Sequence, residues 1–448
     1  MGIRMALVAI GNVFAIAFLF CYVRDIAPTH HYEGFVTKEL PAWAWAFAGI
    51  LSSIPLLWLP VRFSRPSDCA PWFLYFCVVS PTCLLSFLLI RFAPSEMLFL
   101  PISIVAAFGL FEVVRRQAPL LHPGSNRTNA PIHLLLPVVM ILVSAVQLSF
   151  SNYRFETSLD DVYVRRMASR EIIPNASLLN YIIAISNGVC IPLSIVLALD
   201  RKRWLLVIPV VLSALSTFSF SGQKSILFVP VLLAAIVLVV ARYRDIGGLC
   251  ISALFLGILL LAIGEALWLD TTFISNYIVR RMMAMPAQMT AYYWNYFSNH
   301  PYVMLTDNWF VSRIVGSRYD RSTPFLIGWE YFSSNNANAN ANIWASGFAH
   351  FGYLGMFACS YISATIMRIA DGLGRDRDCF VAGSVVCAAI ALVWVNGALH
   401  TSLLSNGVLA ILLALYFIPR EPVSSLDGAI CGPLRDSPRD RLAVEGAT

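Results

Sequence analysis

Apolar runs of membrane-spanning length recur from one end of this chain to the other, and that recurrence leaves few folds open to it. Twelve are readable, with approximate limits 5–23, 42–61, 71–90, 96–114, 132–150, 177–199, 204–220, 223–241, 247–268, 343–366, 380–398 and 402–418. A hydrocarbon core takes about 20 apolar residues wound as a helix. Helices suit that medium because each pairs its own backbone N–H and C=O groups. Composition agrees: 58% of residues are hydrophobic, 12% are charged and mean hydropathy is +0.71, where a soluble domain carries about 25% charged residues. The expectation is an all-α, polytopic integral membrane protein with about 12 transmembrane helices. Residues 1–420 form one membrane domain, and 421–448 form a polar tail expected to be disordered. The first run follows a single early charge, Arg4, with no small-residue cleavage motif after it, so it reads as a retained anchor.

Charge placement orients the helices. With the amino terminus cytoplasmic and twelve crossings, 18 of the 31 basic residues fall on the inner side, from Arg4 through Arg62, Arg115, Arg201, Arg242 and Arg368 to the tail. Short inner loops rich in Arg and Lys satisfy the positive-inside rule, which places both termini in the cytoplasm. Of the 13 outer basic residues, nine lie in two loops, 151–176 and 269–342. The rule disfavours them there, so another cause is needed for Arg154, Arg165, Arg166, Arg170, Lys224, Arg280 and Arg281. The ten cysteines lie mostly in or beside the runs and form no CxxC pair. They read as small apolar filler, with no metal or cofactor expected.

The segment 269–345 is the longest polar stretch. It opens on Arg280 and Arg281, passes through Tyr292, Tyr293, Trp294, Tyr296 and Phe297, and closes on the asparagines Asn338, Asn340 and Asn342. A loop beyond about 15 residues in a compact domain is functional or disordered, and this one is too aromatic for disorder. Short helices lying along the interface are expected in it.

Four outer features carry potential chemistry: Asp160–Arg166, Ser221–Ser225 around Lys224, Arg280–Tyr293, and Asn338–Gly355. Guanidinium groups grip phosphate oxygens in pairs and an ammonium adds a point charge. Asparagine amides and aromatic faces suit sugars. Together they point to a lipid-linked saccharide. Structural readings stand beside these. Arg280, Arg281 and Lys224 can snorkel to headgroups. Asn342 can cap the tenth run, and His350 can be a packed core residue. Gly347, Gly352 and Gly355 suit close helix packing. Asp160, Asp161, Asp307 and Glu330 are open as acids or bases. There is no nucleotide, serine-hydrolase or metalloprotease signature, so the energy for any reaction has to come from the substrate.

On these stretches the chain resembles the bacterial oligosaccharide repeat-unit polymerases, the Wzy-type O-antigen and capsule polymerases. The resemblance rests on Asp161, Tyr163 and Arg165 or Arg166; on Gly222, Lys224 and Ser225; on Arg281, Pro286, Tyr292, Tyr293 and Phe297; and on Asn340, Asn342, Gly347, Gly352, Tyr353 and Gly355. It covers roughly residues 155–410, and it departs at His350, for which it supplies no role. It implies a membrane glycosyltransferase that extends a glycan on polyprenyl (undecaprenyl) diphosphate at the periplasmic face of the inner membrane. On that reading Arg281, Lys224 and Arg165 stabilise diphosphate. Asp161, Glu330 and His350 are the candidate bases. Arg166, Arg280, Tyr163, Tyr292, Tyr293, Asn338, Asn340 and Asn342 hold substrate. The partners implied are lipid-linked oligosaccharide, membrane lipids and a chain-length regulator, with no nucleic acid. An O-antigen ligase and a lipid-linked oligosaccharide flippase are the alternatives.

Overall fold

The computed structural model describes residues 2–89, 98–121, 132–150, 169, 178–222, 225–376 and 379–418. Every regular element among them is helical. In chain order these are α1 (Gly2–Thr29), α2 (Ala42–Leu57), α3 (Pro66–Leu89), α4 (Phe99–Arg115), α5 (Leu134–Phe150), α6 (Leu179–Leu199), α7 (Trp204–Ser221), α8 (Ile226–Arg242) and α9 (Arg244–Trp268). There follow α10 (Met285–Asn299), α11 (Trp309–Val315) and α12 (Thr323–Phe332). The last three are α13 (Ile343–Leu373), α14 (Phe380–Val395) and α15 (Leu399–Tyr416). A helix therefore stands at each of the twelve apolar runs. Seven of them (α1, α3, α6, α7, α9, α13 and α15) are long and apolar enough, by length and composition, to cross a membrane. The protein is a polytopic helical membrane protein.

The helices are ordered around α3. Every residue from 66 to 89 is buried, so α3 meets protein on all sides, as a helix apolar all round should. Helices farther out keep one apolar flank open, with Leu260, Leu261 and Trp268 of α9 exposed, as expected where the neighbour is lipid. Packing runs α1 on α9, α4 on α13, α5 on α7, and α10 against both α13 and the second half of α3.

At one end of the bundle, buried charge ties α3, α4 and α13 together. Arg115 is fully buried and contacts Asp68 Oδ1 at 2.8 Å and Glu112 Oε2 at 2.9 Å. It also donates to Ser67 Oγ at 2.8 Å, and Ser67 in turn donates its N–H and Oγ to Asp371 at 2.8 Å each. Asp68 Oδ2 accepts the backbone N–H of Ser64 and Arg65. Charges out of water are tolerated only when paired and hydrogen-bonded this completely.

The other end contains 22–41 and 269–342. Here the structure departs from the sequence expectation in two ways. The aromatic stretch is not an interfacial helix: a helical segment runs through Ser275–Ala284 into α10, and Pro286 to Phe297 are buried in the bundle. Its aromatics serve as core contacts. Second, α13 is interrupted inside the run, at Phe351 (φ −142°, ψ 24°) and Gly352 (φ 60°, ψ −146°). Only glycine is at home at the second of these angles, and a Cβ there would meet the Tyr302 hydroxyl.

Candidate functional site

The interruption in α13 builds the site. Carbonyls just before a helix break need new donors. The N–H groups of Val303 and Met304 supply them, to Ala349 O at 2.9 Å and His350 O at 3.2 Å. The next N–H, that of Leu305, donates to His350 Nδ1 at 3.2 Å. To reach these positions Met304 and Leu305 both take left-handed angles, φ 52° and 61°. Each such residue costs on the order of 1–3 kcal/mol, and strain of this kind gathers at functional sites.

The strained turn delivers Asp307. Its Oδ2 accepts the N–H of Thr323 at 3.3 Å and the Thr323 hydroxyl, at the start of α12. Its Oδ1 is buried with no hydrogen-bond partner. Opposite stands His400, beside the turn that separates α14 from α15, its ring centroid 5.2 Å from that of His350 with the planes at 70°. One donor atom each from Asp307, His350 and His400 lie within 4.8 Å of one another. His350 is 4% exposed, while Asp307 and His400 are half-buried. Beside the cluster, Met304, Thr306, Gly316 and Arg318 help to line a groove of about 520 Å³, within the range that holds a small ligand.

Two imidazoles and a carboxylate are also a ligand set for a cation. The tautomer speaks against that use as the side chains stand. Leu305 N–H occupies the His350 Nδ1 lone pair, which leaves the proton of the neutral ring on Nε2, where a cation would need a lone pair. The arrangement suits proton sharing.

The residues singled out from sequence divide into three groups. Asp161, Tyr163, Arg165, Arg166 and Lys224 lie outside the described residues. Arg280, Tyr292, Tyr293 and Asn342 are buried and serve the fold in this conformation. Arg280, 4% exposed, pairs with Glu33 and donates Nε–H to Asn276 O at 3.0 Å. Tyr292 stacks on Tyr331 at 4.0 Å and donates to Gly34 O. Tyr293 donates to Ala339 O at 2.9 Å, and its burial pushes the phenol pKa well up. Asn342 Oδ1 caps α13 on the N–H of Trp344 and Ala345 at 3.0 Å each, and its Nδ2 donates to Thr290 at 2.6 Å. The third group is exposed: Arg281, Glu330, Asn338 and Asn340. Arg281 reaches Met285 Sδ at 3.2 Å.

Of the acids and bases considered from sequence, the structure unites Asp307 with His350 and leaves Glu330 out. His400 was not anticipated. Its signal was the position: a histidine in the short turn between the last two apolar runs, on the side where span ten begins. Glu33 and His30 were also missed. Compared with known proteins, the chain matches no family model, no curated protein and no solved structure.

Proposed function

We propose that this protein is an outer-face membrane glycosyltransferase that joins oligosaccharide repeat units carried on polyprenyl diphosphate. The observation that carries this reading is the cluster of Asp307, His350 and His400, with a groove of about 520 Å³ lined by nearby residues that include Thr306 and Arg318. It stands at the same end of the bundle as the long polar segment with its exposed Arg281 and asparagines. In this reading twelve helices cross the inner membrane, both termini are cytoplasmic, and 269–342 faces the periplasm.

The reaction needs two things. An acceptor sugar hydroxyl has to lose its proton as it attacks the anomeric carbon, and general-base help is worth about 10²–10⁴-fold. The departing polyprenyl diphosphate gains negative charge, which fixed cations stabilise. The histidine–aspartate cluster supports the first. Arg281 supports the second, joined in the proposal by Lys224 and Arg165. Exposed Asn338 and Asn340 are suited to orient sugars. No energy source beyond the lipid diphosphate is needed.

One observation favours a second reading. An interrupted helix with polar residues at the break is also how transporters build substrate sites, so α13 keeps a lipid-linked oligosaccharide flippase in play. A surface-glycan ladder from a strain lacking this gene separates the cases. The proposal expects lipid A core bearing a single repeat. Long glycan stranded on the polyprenyl carrier would point to a ligase. Repeats trapped in the inner leaflet would overturn the enzyme reading in favour of transport.

A further inference from the structure

We infer that His400, rather than His350, takes the proton from the acceptor hydroxyl, with His350 and Asp307 as positioning residues. The inference rests on the glycosyl-transfer reading above. His350 is the more deeply buried histidine, and its Nδ1 is engaged by the N–H of Leu305 at 3.2 Å. The neutral ring therefore presents Nε2–H and is a donor, not a base. Asp307 is held at Oδ2 by Thr323, and its unpartnered Oδ1 is shielded from solvent. His400 is half-buried and so more open than His350. Among the described residues, Asp307 and His350 are the metal-ligating or acid–base groups gathered around it.

The step balances as follows. The acceptor O–H proton moves to a ring nitrogen of His400 as the oxygen bonds to the anomeric carbon of the donor glycan. The bond from that carbon to the diphosphate oxygen breaks, and its electron pair leaves with polyprenyl diphosphate. The imidazolium formed on His400 lies beside the Asp307 carboxylate, whose free Oδ1 supplies a fixed counter-charge. His350, pinned at Nδ1 by the N–H of Leu305 in the strained turn, offers Nε2–H as a donor inside the cluster, its ring 5.2 Å from that of His400; in this proposal it orients His400.

The test uses the full chain in lipid nanodiscs, fed undecaprenyl-diphosphate-linked glycan extracted from a strain lacking this gene. For His400→Gln, kcat should fall by about 10²-fold or more with KM little changed, and the loss of rate on the acid side of the pH profile should disappear. For His400→Gly, added imidazole should restore part of the rate. His350→Gln should lower the rate less and keep the acid limb, and imidazole should not rescue it. If wild-type protein extends glycan and His400→Gln retains the wild-type acid limb, the base assignment is wrong and the glycosyl-transfer reading survives. Loss of wild-type turnover on chelation would overturn the assignment in favour of a bound cation. If wild-type protein leaves the glycan neither extended nor released from its carrier, the glycosyl-transfer reading fails and the base goes with it.

Discussion

The two ends of this bundle treat buried charge in opposite ways. At one end Arg115 is surrounded by Asp68, Glu112 and Ser67, with Asp371 beyond, and nearly every oxygen has a donor. At the other end, Asp307 keeps a buried carboxylate oxygen with no partner, two histidines face each other, and two consecutive residues hold left-handed angles. A saturated network holds helices together and has nothing left to offer a ligand. An unsaturated one costs stability, and a protein keeps such a cost where the unmet bonds are completed by something else.

The saturated end should be the more sensitive to removal of a partner. Arg115→Ala leaves two or three carboxylates buried without their cation, and breaking a buried pair from one side costs about 3–5 kcal/mol. Thermal unfolding in detergent should show the largest loss of any single change in the molecule. A loss no larger than that of a surface arginine such as Arg313 would show that water reaches this end, and the contrast would collapse.

Gly352→Ala tests the opposite end. A Cβ at φ 60° and ψ −146°, against the Tyr302 hydroxyl, should cost on the order of 1–3 kcal/mol. It should also move His350 and abolish glycan extension beyond what the stability loss explains. If the variant folds and works normally, the interruption in α13 is incidental to the site.

Arg281→Lys should leave the melting temperature unchanged, because the side chain is exposed. Polymer formation should nevertheless fall by about tenfold or more if paired hydrogen bonds to phosphate are lost. Unchanged polymer would favour simple headgroup contact. Asn342→Ala should do the reverse. It removes the cap of α13 and the contact with Thr290, costing about 0.5–2 kcal/mol with activity following stability.

These contrasts show what the sequence made legible. Helix positions were readable because hydrocarbon forces backbone pairing within each apolar run, and all twelve runs are helical. Basic residues where the orientation rule disfavours them drew attention to the end that holds 269–342, where the Asp307, His350 and His400 cluster stands. Partnerships were not. Arg280 and Arg281 are adjacent and chemically alike, yet one is buried on Glu33, about 250 residues earlier in the chain, and the other is exposed. His400 is ordinary until the break in α13 sets His350 beside it, ring centroids 5.2 Å apart. The break itself hides behind Gly352, since glycine in an apolar helix more often signals close packing. Contacts distant in sequence leave no periodicity to read.

The smallest effect probes the junction of 30–34 with 276–292. His30 lies 3.8 Å from Glu33, and Arg280 pairs with the same carboxylate. Its pKa is lowered from the usual value near 6.5, chiefly by burial and then by Arg280 and Arg281, against the pull of Glu33. The folded protein thus binds fewer protons here than the unfolded chain as pH falls through 6.5. Stability from this group is complete above that pH and is lost below it, down to the folded-state value. A histidine gripped mainly by Glu33 would have its pKa raised and give the opposite slope. Between pH 7.5 and 5.5 the melting temperature should therefore fall, by less than for any change above. His30→Gln should flatten that portion of the curve. A rise in stability toward acid, abolished by His30→Gln, would mean that Glu33 serves the histidine first and that Arg280 is freer for an anionic ligand than its pairing suggests.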